Sequence, residues 1–195
     1  MCPRLTAPAR RRQLLDTALE VFAASGFHAT SMNDVARAAG VTKPVLYQHF
    51  ASKRSLYLEL LGDVGASLQE RIEKATATGG PRHQVEAGFA AYFRFVDEHR
   101  SAFTLLFGSG ARRDDEFAEA VRRVEASVAE AVARLIEADI DGEHRRLLAY
   151  GLVGLAEGTS RHWVDGRLDL DPDLLAHRLA DLAWAGLRGV QAENG

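Results

Sequence analysis

The stretch RRQLLDTALEVFAASGFHATSMNDVARAAGVTKPVLYQHFASKRSLYLEL, residues 11–60, contains consecutive helical patterns separated by glycine-containing breaks. In its first part Leu14, Ala18 and Phe22 recur every four residues, the spacing of one face of an amphipathic helix. Gly26 follows, and glycine is the commonest residue just past a helix C-terminus. The pattern therefore predicts a first helix that ends close to Gly26.

Two shorter helices are predicted after this break. Ser31 is a good N-cap residue and Asp34 stands three residues later, as in a capping box, so a second helix begins here. Gly40 ends that helix. Thr42 is a good N-cap for a third helix, and Pro44 is tolerated there because the first turn needs no intrahelical N–H bond.

Two short helices joined by a glycine-containing turn, with a small residue, Ala36, where they can cross closely, are typical of a helix-turn-helix. The second helix of this motif enters the major groove of DNA. Leu46 and Phe50 are four residues apart and are predicted to pack inward, which leaves the other side chains facing DNA. The candidates are Lys43, Tyr47 and His49 as donors to phosphate, Gln48 on a base edge, Pro44 and Val45 against thymine methyl groups, and Lys53 as added charge at the start of the next helix.

The same stretch resembles the TetR family of repressors over roughly the first 60 residues. The resemblance rests on Gly26-Phe27, on D-V-A-R-A-A-G-V at residues 34–41, and on L-Y-Q-H-F-A-S-K at residues 46–53. It implies a second, helical domain, whose last two helices form a four-helix dimer interface and whose middle helices surround an inducer cavity. In that second domain the resemblance is architectural and assigns no ligand contact to any residue.

The resemblance also implies roles for single positions of the DNA-binding domain. It places Lys43 at the bases, whereas the chemistry of a lysine favours phosphate. The positions implied at the DNA backbone are Ser31, Thr42, Tyr47, His49 and Lys53, those facing bases are Lys43, Pro44, Val45 and Gln48, and Asn33 is a further candidate.

Helical periodicity continues through the rest of the chain, so the predicted fold is all-α and TetR-like, with about nine helices. Apolar stripes cover 85–96, 103–107 and 117–135, and two more helices follow, the last of which begins at Asp171-Pro172. The predicted domains are 1–54, a three-helix DNA-binding domain with a basic N-terminal arm, and 55–195, a helical bundle for ligand binding and dimerisation.

The last two helices are predicted to form a contact between two subunits. Glycines in the first of them permit close approach of another helix, although each weakens the helix by up to about 1 kcal/mol. The final helix is apolar over too broad an arc for one inward face, which favours a partner subunit; a monomeric core that buries all sides is the alternative. Symmetric pairing would separate the two recognition helices by about 34 Å and predicts an approximately palindromic operator. The candidate interface residues are Gly151, Gly154, Leu155, Gly158, Leu179, Leu182 and Trp184.

Aromatic side chains of the helical domain are candidates for an apolar ligand pocket. Ordinary core packing explains most such stripes, so only some of them are expected to touch a ligand. Few charges interleave with the aromatic runs, which favours an uncharged, lipophilic or acyl-type effector; Arg94, Arg161 and His162 leave an anionic head group open. The candidate pocket residues are Phe89, Tyr92, Phe93, Phe103, Phe107 and Trp163.

Charge is distributed unevenly along the chain. Residues 1–54 contain eight Lys and Arg against three Asp and Glu, a formal charge of +5, and the remainder carries −8 of the net −3. A basic module joined to an acidic one suits a chain whose front binds a polyanion; chance clustering on solvated faces is the alternative. The single cysteine, Cys2, excludes an intramolecular disulfide and fits a reducing compartment. With no signal-peptide-like or membrane-spanning run, a cytoplasmic location is expected.

The sequence contains little that indicates an enzyme or a metal site. No histidine pair has metal-ligand spacing, and no nucleophile elbow, Walker loop or Rossmann fingerprint occurs. The acidic run Asp114 to Glu116 precedes a helix, where it favours the N-terminus without a catalytic role. No catalytic residue, metal or cofactor is therefore expected.

Together these patterns predict a homodimeric repressor that binds a palindromic operator and is released by a small, apolar effector. The alternatives are a ligand-independent architectural DNA-binding protein and a helical-bundle enzyme.

Overall fold

The computed structural model describes residues 6–108 and 114–190, and most of them are helical. Within these ranges there are nine α-helices and no strand, and no helix is both long and apolar enough to span a bilayer. The predicted all-α, TetR-like fold is confirmed. The helices are α1 Ala7–Ala29, α2 Met32–Ala38, α3 Lys43–His49, α4 Lys53–Thr76, α5 Pro81–Glu98, α6 Arg100–Phe107, α7 Asp115–Ala133, α8 Gly142–His162, which continues into a π-helical turn at Trp163–Arg167, and α9 Pro172–Leu187.

Side-chain caps begin several helices where the sequence predicts them. Ser31 Oγ accepts from the Asp34 amide at 3.2 Å and the Asp34 carboxylate accepts from the Ser31 amide at 3.0 Å, which completes the capping box of α2. Ser52 and Ser55 exchange equivalent bonds at the start of α4. Asp171 accepts two backbone N–H groups in the first turn of α9. These starts are therefore set by local sequence, because each cap satisfies amides that have no partner within the helix.

The first helix was predicted to end close to Gly26, but α1 kinks there and ends at Ala29. Gly26 has φ of 77°, in the left-handed region that residues with a Cβ seldom adopt. One further helical turn reaches Ala29, and the Thr30 hydroxyl then donates to the Gly26 carbonyl at 2.8 Å. The glycine thus redirects the chain toward α2.

The chain forms two compact units. The first contains the residues up to Val64 together with Ser101–Ala120, and the second contains Gly65–Arg100 and the residues from Val121 onward. Both α4 and α7 contribute residues to each unit. The predicted domains, 1–54 and 55–195, stay a prediction. Residues 1–5 of the predicted basic arm lie outside the described residues.

An aromatic cluster forms part of the core of the first unit. Phe117, from the start of α7, is fully buried, with its ring centroid 4.7 Å from that of Phe27 and 4.6 Å from that of Tyr57. The Phe22 ring meets Tyr57 edge-on at 5.1 Å. Burial raises the pKa of Tyr57 to about 12, because the phenolate would lose its hydration. Phe117 therefore fastens the start of α7 to the end of α1 and the beginning of α4.

In the second unit α5 packs against both α8 and α9. Phe93 of α5 is fully buried and contacts Trp163 edge-on, with the ring centroids 6.1 Å apart. On the other side of the unit α4 and α7 approach closely at Gly65, where an added Cβ would lie 2.5 Å from a methyl carbon of Val124. The helices of this unit enclose a cavity, described below.

Candidate DNA interface, ligand cavity and exposed helix face

The turn between α2 and α3 is built by local hydrogen bonds around one glycine. Gly40 has φ of 66°, and its amide donates to the Arg37 carbonyl at 3.1 Å. The next amide, of Val41, donates to the Ala36 carbonyl at 3.0 Å, which satisfies the C-terminus of α2. Ala36 is buried at 2% exposure, as expected for a residue at a close helix crossing. The sequence-predicted helix-turn-helix is therefore present.

Helix α3 has one buried and one exposed face. Leu46 is fully buried and Phe50, just past the helix, is 3% exposed, so the predicted inward packing of this pair is confirmed. The Thr42 side chain makes no capping hydrogen bond at the start of α3. A capping bond would use the hydroxyl oxygen as an acceptor, so the start of α3 does not engage this oxygen. Of the predicted DNA-contact residues, Ser31, Asn33, Thr42, Lys43, Pro44, Tyr47 and Gln48 are exposed, and Val45, His49 and Lys53 are half-buried.

Tyr47 and Lys43 lie together at the surface of α3. Tyr47 is 45% exposed, which is unusual for so large a ring, and the Lys43 ammonium lies 5.8 Å from its centroid. Both side chains carry a donor at the end of an apolar stem, a chemistry that suits phosphate oxygens.

The ammonium group of Lys53 is held by backbone carbonyls of the protein itself. Its ammonium donates to the Phe27 carbonyl at 2.7 Å and to the Thr30 carbonyl at 2.8 Å, and it lies 4.2 Å from the centroid of the Phe27 ring. These carbonyls belong to the end of α1 and the residue after it, so Lys53 fastens that end to the start of α4. This position adds a structural role to the one predicted at DNA.

Lys53→Met is expected to reduce the free energy of unfolding by about 1–3 kcal/mol, because two half-buried carbonyls lose a charged donor. Lys43→Met is the matched control, since Lys43 is exposed, and it is expected to leave stability unchanged within about 0.5 kcal/mol. Urea unfolding of the two variants measures the difference. Equal stabilities would mean that the Lys53 contacts do not hold α1 to α4.

Other cations near α3 are paired with carboxylates. Arg54 donates to Asp114 at 2.7 and 3.0 Å and to Glu116 at 2.7 Å, and the guanidinium holds the pKa of Asp114 below its usual value. Asp114 also accepts the first amides of α7, as predicted for this acidic run. Arg11 pairs with Glu59 of α4 in the same way. The acidic run thus performs helix capping and charge pairing.

The second unit contains a cavity of about 280 Å³ between α4, α5, α7, α8 and α9. Its walls are mainly aliphatic, and Trp184 of α9 and Phe89 of α5 contribute aromatic surface. Exposed Glu137 and Arg188 belong to the lining, so the cavity reaches the surface there. The volume is close to the lower limit of small-molecule sites in proteins, roughly 300–1,000 Å³. The described lining residues with polar side chains are Thr76, Gln84, Tyr92, Glu137 and Arg188, together with the indole of Trp184.

The structure distributes the predicted pocket residues over several places. Phe89 and Tyr92 line the cavity. Phe93 and Trp163 are buried in the second unit but are not among the described lining residues. Phe103 and Phe107 lie in α6, within the first unit. Sequence reasoning missed Gln84 and the lining residues of α4, α7 and α8. Gln84 lies on the same stripe of α5 as Gly88 and Tyr92, at four-residue spacing.

Helix α8 exposes an apolar face on the side opposite its buried residues. Leu147 is 69% exposed and Tyr150 is 48% exposed. Gly151, Gly154 and Gly158 follow on this face, and a Cβ at any of them would meet nothing within 4 Å. No contact among residues 6–108 and 114–190 therefore requires these positions to be glycine. The exposed surface can receive another helix at close range.

Helix α9 also exposes leucines. Leu182 is 60% exposed and Leu174 is 41% exposed. Leu155 and Leu179, two other predicted interface residues, are half-buried. Trp184 was predicted at the subunit interface, and the structure places it in the cavity lining. No cluster of three His, Cys, Asp or Glu side chains suited to a metal ion occurs among residues 6–108 and 114–190.

Comparisons with protein families agree with this architecture. Residues 14–60 match the family described as bacterial regulatory proteins, tetR family. Residues 81–186, more than half of the chain, match the family described as tetracyclin repressor-like, C-terminal domain.

Related proteins include both activators and repressors. The chain is 34% identical over 190 residues to the HTH-type transcriptional activator FasR of Mycolicibacterium smegmatis, covering 96% of this chain and 87% of FasR. It is 30% identical to the transcriptional repressor KstR2 of the same organism, covering 92% of this chain and 78% of KstR2. A solved TetR-like regulator from Rhodococcus sp. RHA1 superposes with a TM-score of 0.78 at 31% identity, covering 96% of this chain and all of that one. The chain belongs to the TetR family of transcriptional regulators.

Proposed function

We propose that this chain is a ligand-responsive repressor that binds a palindromic operator as a homodimer and is released by a small, apolar effector. The observation that carries the proposal is the exposed face of α3, where Thr42, Lys43, Tyr47 and Gln48 project from a helix anchored by buried Leu46. In a helix-turn-helix the second helix reads the major groove. The protein then acts in the cytoplasm.

The residues of this face fall into two groups, those that contact phosphate and those that contact bases. Tyr47, Lys43 and the hydroxyl of Thr42 supply donors to phosphate, which sets affinity for any sequence. Gln48 supplies both a donor and an acceptor, the combination that pairs with the N6 and N7 edge of adenine. Contacts of Pro44, Val45, His49, Ser31, Asn33 and Lys53 complete the proposed interface.

Gln48→Ala is expected to lose preference at one base position in each half-site, at a cost of about 1–3 kcal/mol on the preferred operator. Tyr47→Phe is expected to weaken binding to all sequences alike, because the hydroxyl it loses contacts phosphate. Selection from randomised DNA measures both. An equal shift in sequence preference for the two variants would contradict this division, and no enrichment of any sequence by the unaltered chain would contradict operator binding itself.

The exposed face of α8 and α9 supports the homodimer. A second copy of the chain that covered this face would remove exposed apolar surface from water, which favours association. The side chains concerned are Leu147, Tyr150, Leu174 and Leu182. The same two helices in a partner complete a four-helix arrangement, and its two-fold symmetry is matched by a palindromic operator.

The cavity supports control by an apolar compound. A ligand that binds there more tightly when the protein is off the operator lowers operator affinity by the same factor, typically through about 1–3 kcal/mol of coupling. Titration calorimetry with and without operator tests this, because a compound that binds equally in both conditions cannot be the effector.

Activation is a second candidate function, favoured by the 34% identity to a protein named as an activator. Transcription in vitro from a promoter with the selected operator distinguishes the two. Reduced transcript on adding the protein supports repression, and increased transcript supports activation.

A further inference from the structure

One polar atom of the cavity lining in the second unit has no partner within the described residues. Gln84 Oε1 is enclosed and makes no hydrogen bond there, and Gln84 lines the cavity. An enclosed polar atom without a partner typically costs about 1–3 kcal/mol, so this atom indicates a group that a ligand supplies.

The orientation of the Gln84 amide is fixed by its other hydrogen bond. Nε2 of Gln84 donates to the backbone carbonyl of Thr76 at 3.3 Å. Because a carbonyl only accepts, the nitrogen must face Thr76 and the oxygen must face away from it. Gln84 therefore presents an acceptor, and the ligand atom that meets it must carry an O–H or N–H.

Gln84 also lies where apolar and polar space meet. A second recess, lined by Glu73, Ala77 and Arg134 among others, shares Gln84 and Thr76 with the cavity. The Arg134 guanidinium lies 3.5 Å from the Glu73 carboxylate, so the charges of this recess are balanced against each other. An apolar chamber beside a charge-balanced recess suits an uncharged molecule with one polar end.

The size of the chamber limits the apolar part of that molecule. A cavity of roughly 150 Å³ holds benzene. At about 280 Å³ this chamber has room for about twice as many atoms, on the order of a dozen.

We propose that the effector is an uncharged amphiphile, with an aliphatic part of about a dozen atoms in the cavity and a hydroxyl or secondary-amide donor on Gln84 Oε1. This inference rests on the proposed control by an apolar ligand. The proposal excludes a fatty-acid anion, because an ionised carboxylate has no hydrogen to donate to Gln84 Oε1 and would lose its hydration in the apolar chamber.

Three probes of equal chain length test the inference: 1-decanol, its methyl ether and decanoate at about pH 8, where the acid is ionised. Binding is followed by the fluorescence of Trp184, which lines the cavity, and Trp184→Phe identifies the part of the signal that comes from this site. Decanol is expected to bind about tenfold more tightly than either other probe, as one buried hydrogen bond predicts. Gln84→Met, which keeps the length of the side chain but removes its acceptor, is expected to weaken decanol about tenfold and to leave the ether unchanged.

Several results would overturn the inference. If the ether binds as tightly as the alcohol to the unaltered protein, the ligand needs no O–H or N–H donor and the proposed bond to Gln84 Oε1 is wrong. This comparison does not depend on the folding of any variant. If decanoate binds more tightly than decanol, and this binding is lost in Arg188→Ala at the cavity mouth, the site binds an anion. Binding of none of the probes excludes this ligand class, whereas the DNA selection experiment decides operator binding independently.

Discussion

Leu182→Arg is expected to convert the protein from a dimer into a monomer and to weaken operator binding by about 100-fold or more. Leu182 is 60% exposed on α9, and an arginine there would place an unpaired charge in the proposed apolar contact between subunits. The loss in DNA affinity is large because two linked half-site contacts act with an effective concentration that a monomer lacks, worth about 10²–10⁴. Sedimentation velocity measures the assembly state, and a mobility shift with the selected operator measures the affinity.

The control for this variant adds the same charge elsewhere. Thr78→Arg changes an exposed residue in the α4–α5 connection, outside α8 and α9, and is expected to remain dimeric with unchanged operator affinity. A Leu182→Arg protein that stays dimeric would show that subunits associate through another surface. A folded monomer of Leu182→Arg with unaltered operator affinity would contradict the proposed use of paired half-sites.

Phe117→Ala is expected to lower the free energy of unfolding by about 3–5 kcal/mol. The ring is fully buried among Phe27 and Tyr57, and the Arg54 guanidinium lies 4.8 Å from its centroid. Removing it leaves a cavity where the start of α7 meets the end of α1 and the beginning of α4 in the first unit. Hydrogen–deuterium exchange measured by mass spectrometry locates the effect, and faster exchange is expected in α1–α3.

The helices in which exchange becomes faster distinguish a local effect of Phe117 from destabilisation of the whole protein. Phe117→Leu refills most of the volume and is expected to lose less than half as much stability. Exchange that rises equally in α5 and α9, which lie in the second unit, would show that Phe117 does not act locally. A stability loss below about 1 kcal/mol for the alanine variant would show that the aromatic cluster repacks without it.

The helix-turn-helix and the exposed side of α3 could be predicted from sequence because their determinants are short-range. The capping box of Ser31 and Asp34, the glycine turn at Gly40 and the spacing of Leu46 and Phe50 act over three or four residues. Each is satisfied by neighbours in the chain, so the pattern of residues already contains the geometry. The role of Lys53 in holding α1 was not predictable in this way, since its partners lie 23 and 26 residues away.

The cavity in the second unit could not be predicted in this way, because its lining comes from helices that are distant in the chain. Six aromatic residues were candidates, yet only Phe89 and Tyr92 line the cavity, and Phe103 and Phe107 belong to the first unit. A helical stripe shows that a residue is buried but not which other helix faces it. Trp184 illustrates this, because its position on α9 is compatible with either the cavity or a partner subunit until the packing of α5 against α9 is known.

By itself the sequence determined that this chain is all-α, where several of its helices begin, and which side of α3 is exposed, because these depend on capping, periodicity and turn residues a few positions apart. Only the tertiary structure decided which aromatic side chains line the cavity, that Gln84 offers it an acceptor, and that the Lys53 ammonium is held by carbonyls at the end of α1. The physical reason is that these features depend on contacts between helices distant in the chain, and the periodicity of one helix carries no information about the identity of its neighbour.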